Sequence, residues 1–232
     1  MIEVMLEDRI LFEDNHLIVI NKLPGEIVQG DKTGDVCLAD DVKAYLKEKY
    51  NKPGNVFLGI PHRLDRPTSG IVIYCKTSKA LERMNNLFRE GKVDKYYWAI
   101  TDNKMLEKDG RLEHYIVRNA EKNKSFAYKD SKPNSQKAVL EYRTLAASER
   151  YFLLEIKLIT GRHHQIRAQL AACGVHIKGD LKYGFPRSNE DGGICLHSRC
   201  AVFEHPVTKD ELKITAPVPE SNIWHCFESI LR

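Results

Sequence analysis

Short apolar runs bounded by turn residues dominate this chain, and helical spacing interrupts them in three places. Ile10-Leu11-Phe12-Glu13 and His16-Leu17-Ile18-Val19-Ile20 flank Asp14-Asn15. That turn pair tolerates left-handed backbone, so a β-hairpin is predicted, broken by Asn21-Lys22-Leu23-Pro24-Gly25. Val42, Tyr45, Leu46 and Tyr50 then fall at helical spacing, and Lys52-Pro53-Gly54 stops the helix. A second helix follows the apolar strand Ile71-Val72-Ile73-Tyr74, with Thr77 or Ser78 as N-cap, Leu81, Met84 and Phe88 on one face and Gly91 at the C-terminal cap. Beyond it the pattern turns to strands over residues 95–100, 112–117, 138–145 and 152–159, the last two joined as a hairpin through Ser148-Glu149-Arg150. A third helix is predicted over residues 164–173, closed by Gly174, before strands near 194–203 and 212–215. The polar stretch 118–137 reads as an exposed loop or a loosely held hairpin.

Strands that follow strands, with few helices between, imply an α+β fold with largely antiparallel pairing. At 232 residues the chain is long enough for a sizeable core and is expected to form one domain over residues 1–232, in two lobes. The composition, 42% hydrophobic and 29% charged, is that of an ordinary globular protein. The longest apolar runs are strand-length and acidic residues stand near the N-terminus, so neither a membrane span nor a secretory leader is expected, and the cytoplasm is the expected compartment. Six cysteines without Cys-x-x-Cys spacing argue against disulfides and structural zinc; Cys195-Leu196-His197 with Cys200 lacks the spacing of a zinc site. The net charge of +4 is modest, but residues 157–187 alone carry +5, with Asp180 the single acid among six basic residues. A phosphate backbone is the partner such a concentration fits; a solvated basic face is the plainer alternative.

Chemistry is concentrated in His62-Arg63-Leu64-Asp65-Arg66-Pro67-Thr68-Ser69-Gly70, where one carboxylate stands between two guanidinium groups ahead of a strand. Asp, Pro and Gly also make turns, so the segment by itself reads first as a strand entry with a surface ion pair. As an active carboxylate, Asp65 would have its ionised form favoured by a nearby Arg63 or Arg66. Two further stretches accompany it. Lys95-Tyr96-Tyr97-Trp98-Ala99-Ile100 puts aromatic rings on both faces of a strand. Thr160-Gly161-Arg162-His163-His164-Gln165-Ile166-Arg167 leads into a helix start, where free N–H groups and basic side chains suit an anion.

The first stretch resembles, residue for residue, the His-Arg-Leu-Asp-Arg-x-Thr-Ser-Gly motif of the RluA-type RNA pseudouridine synthases. The last is similar to the family's Thr-Gly-Arg-x-His-Gln-Ile-Arg, and Leu196-His197, His205-Pro206 and Ala216-Pro217 match in turn, so the resemblance spans residues 10 to 224. It implies a pseudouridine-synthase-like, mainly antiparallel mixed sheet flanked by helices, with an active-site cleft between two lobes. It implies that Asp65 is the catalytic residue converting uridine to pseudouridine, that Arg162 pairs with it, and that a tyrosine stacks on the target uracil. The register Lys-x-Tyr-x-Ala gives that tyrosine as Tyr97, with Tyr96 as second choice. Arg63 is the candidate for entering the space the base leaves, and His62 and Arg167 are further candidates for RNA contact. Gln169 stands where a His is frequent in relatives, and Val175-His176 where His-Pro is common; either change is expected to alter RNA contacts. The isomerisation needs no cofactor or metal, and none is expected. The partner is rRNA or tRNA, not DNA, and the protein is expected to act as a monomer. Only nine residues precede Ile10, so no N-terminal S4 RNA-binding domain is expected. The rival readings are a non-catalytic RNA-binding module, which 5-fluorouridine RNA would not trap, and a nucleosidase, which would release free uracil.

Overall fold

The computed structural model describes residues 4–30 and 36–231, so the extreme N-terminus read above for a leader lies partly outside it. The chain forms two compact units. One comprises the residues up to Val93 together with Cys200–Pro217, the other Asp94–Arg199 with the residues from Val218.

In the first unit β1 (Ile10–Glu13) and β2 (Leu17–Lys22) form the predicted antiparallel hairpin, and β2 pairs with β3 (Ser69–Cys75). The Asp14 carboxylate closes the hairpin by accepting from the His16 and Leu17 N–H groups at 2.7 Å each. Helix α1 (Leu38–Lys49) covers one face of these strands, packing Leu38, Val42 and Leu46 with Ile18, Ile20, Val72 and Tyr74. The other face holds α2 (Ser78–Arg89), whose Ala80 and Met84 pack with Leu17, Val19, Ile71 and Ile73. Burial on both faces is why β2 and β3 read as unbroken apolar runs rather than alternating ones. Each such side chain contributes about 1.5–3 kcal/mol relative to exposure. Thr77 caps α2 as expected, its hydroxyl accepting from the Ala80 N–H at 3.2 Å.

The second unit carries β4 (Val93–Thr101), β5 (Asp109–Asn119), β6 (Lys124–Tyr128), β7 (Gln136–Ala147) and β8 (Phe152–Leu158) in the order β4-β8-β7-β5-β6, every pair antiparallel. Helix α3 (Gln165–Ala172) lies against β5 and β6. Strand β9 (Leu196–Glu204) passes from the second unit into the first and turns back antiparallel into β10 (Glu211–Thr215). The α+β class and the antiparallel pairing read from the sequence are those of the structure. The stretch 118–137 resolves in favour of a hairpin, because β6 zips onto β5 from Tyr115↔Tyr128 to Asn119↔Lys124.

One helix lies where no element is predicted. α4 (Asn222–Leu231) buries Trp224 and Phe227 and reaches β7. Its apolar positions 224, 227 and 231 do fall at helical spacing, but ten residues give the period too few repeats to stand out. No described helix is long and apolar enough to cross a membrane.

Candidate active site

Asp65 occupies a turn tied down at several points within the first unit. The Thr68 N–H closes the turn on the Asp65 carbonyl at 3.0 Å, and the Gly25 N–H donates to the Arg66 carbonyl at 2.9 Å. Beneath it lies Lys22, fully buried at the end of β2, whose ammonium donates to the carbonyls of Leu23 (2.8 Å), Arg66 (3.0 Å) and Thr68 (2.7 Å). An ammonium taken out of water is costly unless all its donors are used, and three carbonyls meet that need. Burial still lowers its pKa, from 10.5 to about 8, with Glu26 and Asp65 opposing the shift.

Two glycines make the approach possible. Gly59 bridges to Cys75 of β3, and a Cβ on it would meet the Leu81 side chain at 2.8 to 3.0 Å. Gly70 enters β3 at φ +106°, a conformation that L side chains rarely adopt. Between them His62 is anchored rather than displayed. Its Nε2 accepts from the Ile73 N–H at 2.9 Å and its ring stacks on Phe88 at 4.9 Å. Asp65 itself is half-buried, while Arg63 and Arg66 are exposed. Arg66 donates from Nε to the Gly25 carbonyl at 3.0 Å.

The second unit holds the other sequence-predicted residues. Strand alternation separates the two tyrosines: Tyr97, opposite Ile156, is buried, and Tyr96, opposite Lys157, is half-buried with the Lys157 ammonium 5.5 Å from its ring centroid. Lys95 shares the Tyr97 face, and its ammonium comes so near Gly161 that a Cβ there would stand 3.7 Å away. Burial lowers the Lys95 pKa, with Asp94 opposing.

The loop that carries Arg162 is held by Gln165, the first residue of α3. The Gln165 Oε1 accepts from the Thr160 hydroxyl (2.8 Å) and the Arg162 N–H (2.9 Å), and its Nε2 donates to the Val139 carbonyl (3.0 Å). Arg162 is exposed and donates from Nε to the Lys137 carbonyl at 3.0 Å. His164 precedes the helix at φ +53°, a left-handed strain tolerated because the residue is buried and its Nδ1 lies 3.0 Å from the Tyr183 hydroxyl.

Arg167 departs from its expected place. It is 4% exposed and bound bidentately to the buried Asp180 at 2.7 and 2.8 Å, its guanidinium 4.9 Å from the Tyr183 ring centroid. Its charge is thus matched inside the protein rather than offered to a phosphate, and one of the six positive charges of residues 157–187 leaves the surface. Gln169 is likewise fully buried, with Nε2 donating to the Leu112 carbonyl at 3.2 Å; it fastens α3 to β5, so it acts on packing rather than on RNA contacts as expected.

Sequence reasoning passed over two residues. Lys22 continues the core-facing positions Ile18 and Ile20, and a lysine in that register is the signal of a buried ammonium. Lys95 opens the aromatic motif, where its place in the sequence marks only the register of the strand.

A sequence model of the family described as RNA pseudouridylate synthase matches residues 16–172. An uncharacterized RNA pseudouridine synthase of Helicobacter pylori is 32% identical over 222 residues, covering 93% of this chain and 68% of that protein. The ribosomal large subunit pseudouridine synthase C of Vibrio vulnificus is 30% identical over 221 residues, covering 93% and 67%. Among solved structures, human RNA pseudouridylate synthase domain containing 4 superposes with a TM-score of 0.79 at 26% identity, over 96% of this chain and 93% of that one. The family match runs from the start of β2 to the end of α3 and includes both clamped loops; the chain belongs to the RNA pseudouridylate synthase family and is an isomerase acting on RNA.

Proposed function

We propose that Asp65 is the carboxylate that isomerises uridine, and that the target is ribosomal RNA. The observation that carries the assignment is the half-buried Asp65 on a turn whose flanking carbonyls Lys22 holds. Pseudouridylation breaks the N1–C1′ bond of uridine, turns the uracil and joins its C5 to C1′. A single fixed carboxylate serves such a reaction, whereas glycoside hydrolysis uses two carboxylates and water. Fixing the carboxylate in advance removes part of the orientational cost of the step.

The target base must leave its stack, at a cost of a few kcal/mol, and an aromatic ring offsets it. Tyr97 is that ring in this reading, with Tyr96 on the opposite face as the other candidate. Arg63, exposed on the Asp65 loop, enters the space the base leaves, and Arg162 supplies positive charge from its clamped loop. His62 and Arg167 serve by positioning the segments they brace. Relatives named ribosomal large subunit pseudouridine synthase C support an rRNA target. Six free thiols support a reducing cytoplasmic setting, and a single-carboxylate centre needs no second copy of the chain.

The test is Asp65→Ala. The variant binds RNA with near wild-type affinity and forms no pseudouridine, and mapping pseudouridine in total RNA with and without the protein names the position. Product at a near wild-type rate from the variant rejects the assignment.

A further inference from the structure

The β5–β6 hairpin carries a feature that the isomerisation chemistry does not use. Residues 118–137 hold six basic and two acidic side chains, a second concentration of positive charge beside the one at 157–187. On the outward face of β6, Phe126 and Tyr128 are exposed at 36% and 39%. Their cross-strand partners Val117 and Tyr115 lie on the same face. Ser125, the residue before Phe126, turns inward and is buried, its N–H donating to the Tyr183 hydroxyl at 2.8 Å, so the face is fixed and not free to roll.

Each exposed ring has a lysine near it. The Lys124 ammonium is 5.6 Å from the Phe126 centroid and the Lys132 ammonium 5.9 Å from that of Tyr128. On the adjoining part of the sheet the charges pair off, Arg111 with Glu113 and Glu141, Arg143 with Glu155, and Lys157 with Asp94. Lys124 and Lys132 form no ion pair among the described residues.

Edge-strand lysines such as Lys124 are explained by protection against edge-to-edge association, since β6 ends the sheet of its unit, whereas Lys132 lies in the loop after β6. That need does not explain two exposed aromatic rings beside them, which add to the hazard. Rings two residues apart on a strand stand roughly 7 Å apart, about twice the spacing of stacked bases, so each has room for its own base. Exposed aromatic rings combined with a cationic surface that follows the phosphate backbone are how single strands of nucleic acid are held without regard to sequence.

We propose that Phe126 and Tyr128 form a stacking platform for a single-stranded segment of the RNA substrate, with Lys124 and Lys132 neutralising its phosphates. The proposal rests on RNA being the substrate and adds a contact to the one made by the target uridine. Binding is followed by fluorescence anisotropy with a labelled twelve-residue oligoadenylate, which contains no uridine and so reports the platform. The full-length Phe126→Ala/Tyr128→Ala variant binds it at least tenfold more weakly than wild type, with an unchanged melting temperature. Lys124→Ala/Lys132→Ala flattens the salt dependence, and Asp65→Ala binds as wild type does. The proposal is overturned if wild type fails to bind the oligomer, if the ring variant binds equally well, or if polyglutamate competes as effectively as oligoadenylate. The Asp65 assignment is read separately, by pseudouridine formation, so either idea can fail while the other stands.

Discussion

The Asp65 loop and the Arg162 loop are each held by one buried side chain, and the two clamps differ in kind. Lys22 is a cation that only donates, and it grips three carbonyls. Gln165 is a neutral amide that accepts from the loop through Oε1 and donates to β7 through Nε2, so one side chain links two elements. The ammonium makes the stronger bonds, since those to charged groups are worth about 1.5–3 kcal/mol against roughly 1 for neutral ones, but it must first be dehydrated. The loop with the proposed catalytic carboxylate therefore has the tighter and more titratable support.

Removing the charged clamp gives the largest expected effect. Lys22→Met keeps most of the buried stem, takes the ammonium donor from the Leu23 and Thr68 carbonyls and leaves the Arg66 carbonyl with the Gly25 N–H alone. It is expected to cost about 3 kcal/mol in urea denaturation and to slow single-turnover isomerisation by a hundredfold or more, on the order of 2.7 kcal/mol in barrier. A variant of near wild-type rate would show that the turn holds Asp65 without the ammonium.

The neutral clamp is expected to matter less. Gln165→Leu removes three bonds at a cost of about 2 kcal/mol and slows the reaction roughly tenfold. Gln165→Glu retains the acceptor for Thr160 and Arg162 and is expected to recover part of the rate. Equal losses from Lys22→Met and Gln165→Leu would erase the contrast between the clamps.

The sequence shows these two clamps unequally. Gln165 lies inside a contiguous motif, which marks its neighbourhood but not its bonds. Lys22 touches Arg66 and Thr68 across more than forty positions, and nothing local says that the end of an apolar strand will lie under a distant turn. Period-2 and helical patterns located the β1–β2 hairpin, α1, α2 and α3 to within a few residues, because each buries a well-marked face. The inward turn of Arg167 was not readable, since its partner Asp180 lies beyond the end of its helix and only tertiary packing brings the two together. The short α4 repeats its apolar period too few times to be legible in the sequence.

Titration separates the clamps without a mutation at Gln165. Burial lowers the pKa of Lys22 in the folded state to about 8. Between about 8 and the unfolded value of 10.5 the unfolded chain binds the proton that the folded chain has released, so this group makes stability rise with pH across that window. A neutral amine keeps two N–H groups for three carbonyls, so the Asp65 turn loosens as the fold gains. Isomerisation is expected to fall above pH 8 while the urea midpoint rises, with both slopes missing in Lys22→Met. A rate that tracked stability upward through pH 10 would remove the link between the ammonium and the turn.

The smallest effect tests whether charge or burial makes the clamp. Arg66 also donates to a carbonyl, that of Gly25, and also carries a positive charge, but it does so in water. Solvent competes for an exposed guanidinium, and ordering its long side chain costs entropy, so Arg66→Ala is expected to lower stability by less than ~1 kcal/mol. The Gly25 N–H to Arg66 carbonyl bond is made by backbone alone and survives the change. Comparing urea midpoints of Arg66→Ala and Lys22→Met at pH 7 thus weighs two cations on one turn that differ chiefly in burial. A loss from Arg66→Ala as large as that from Lys22→Met would mean that positive charge near the turn, rather than a dehydrated ammonium saturated by carbonyls, is what keeps Asp65 in place.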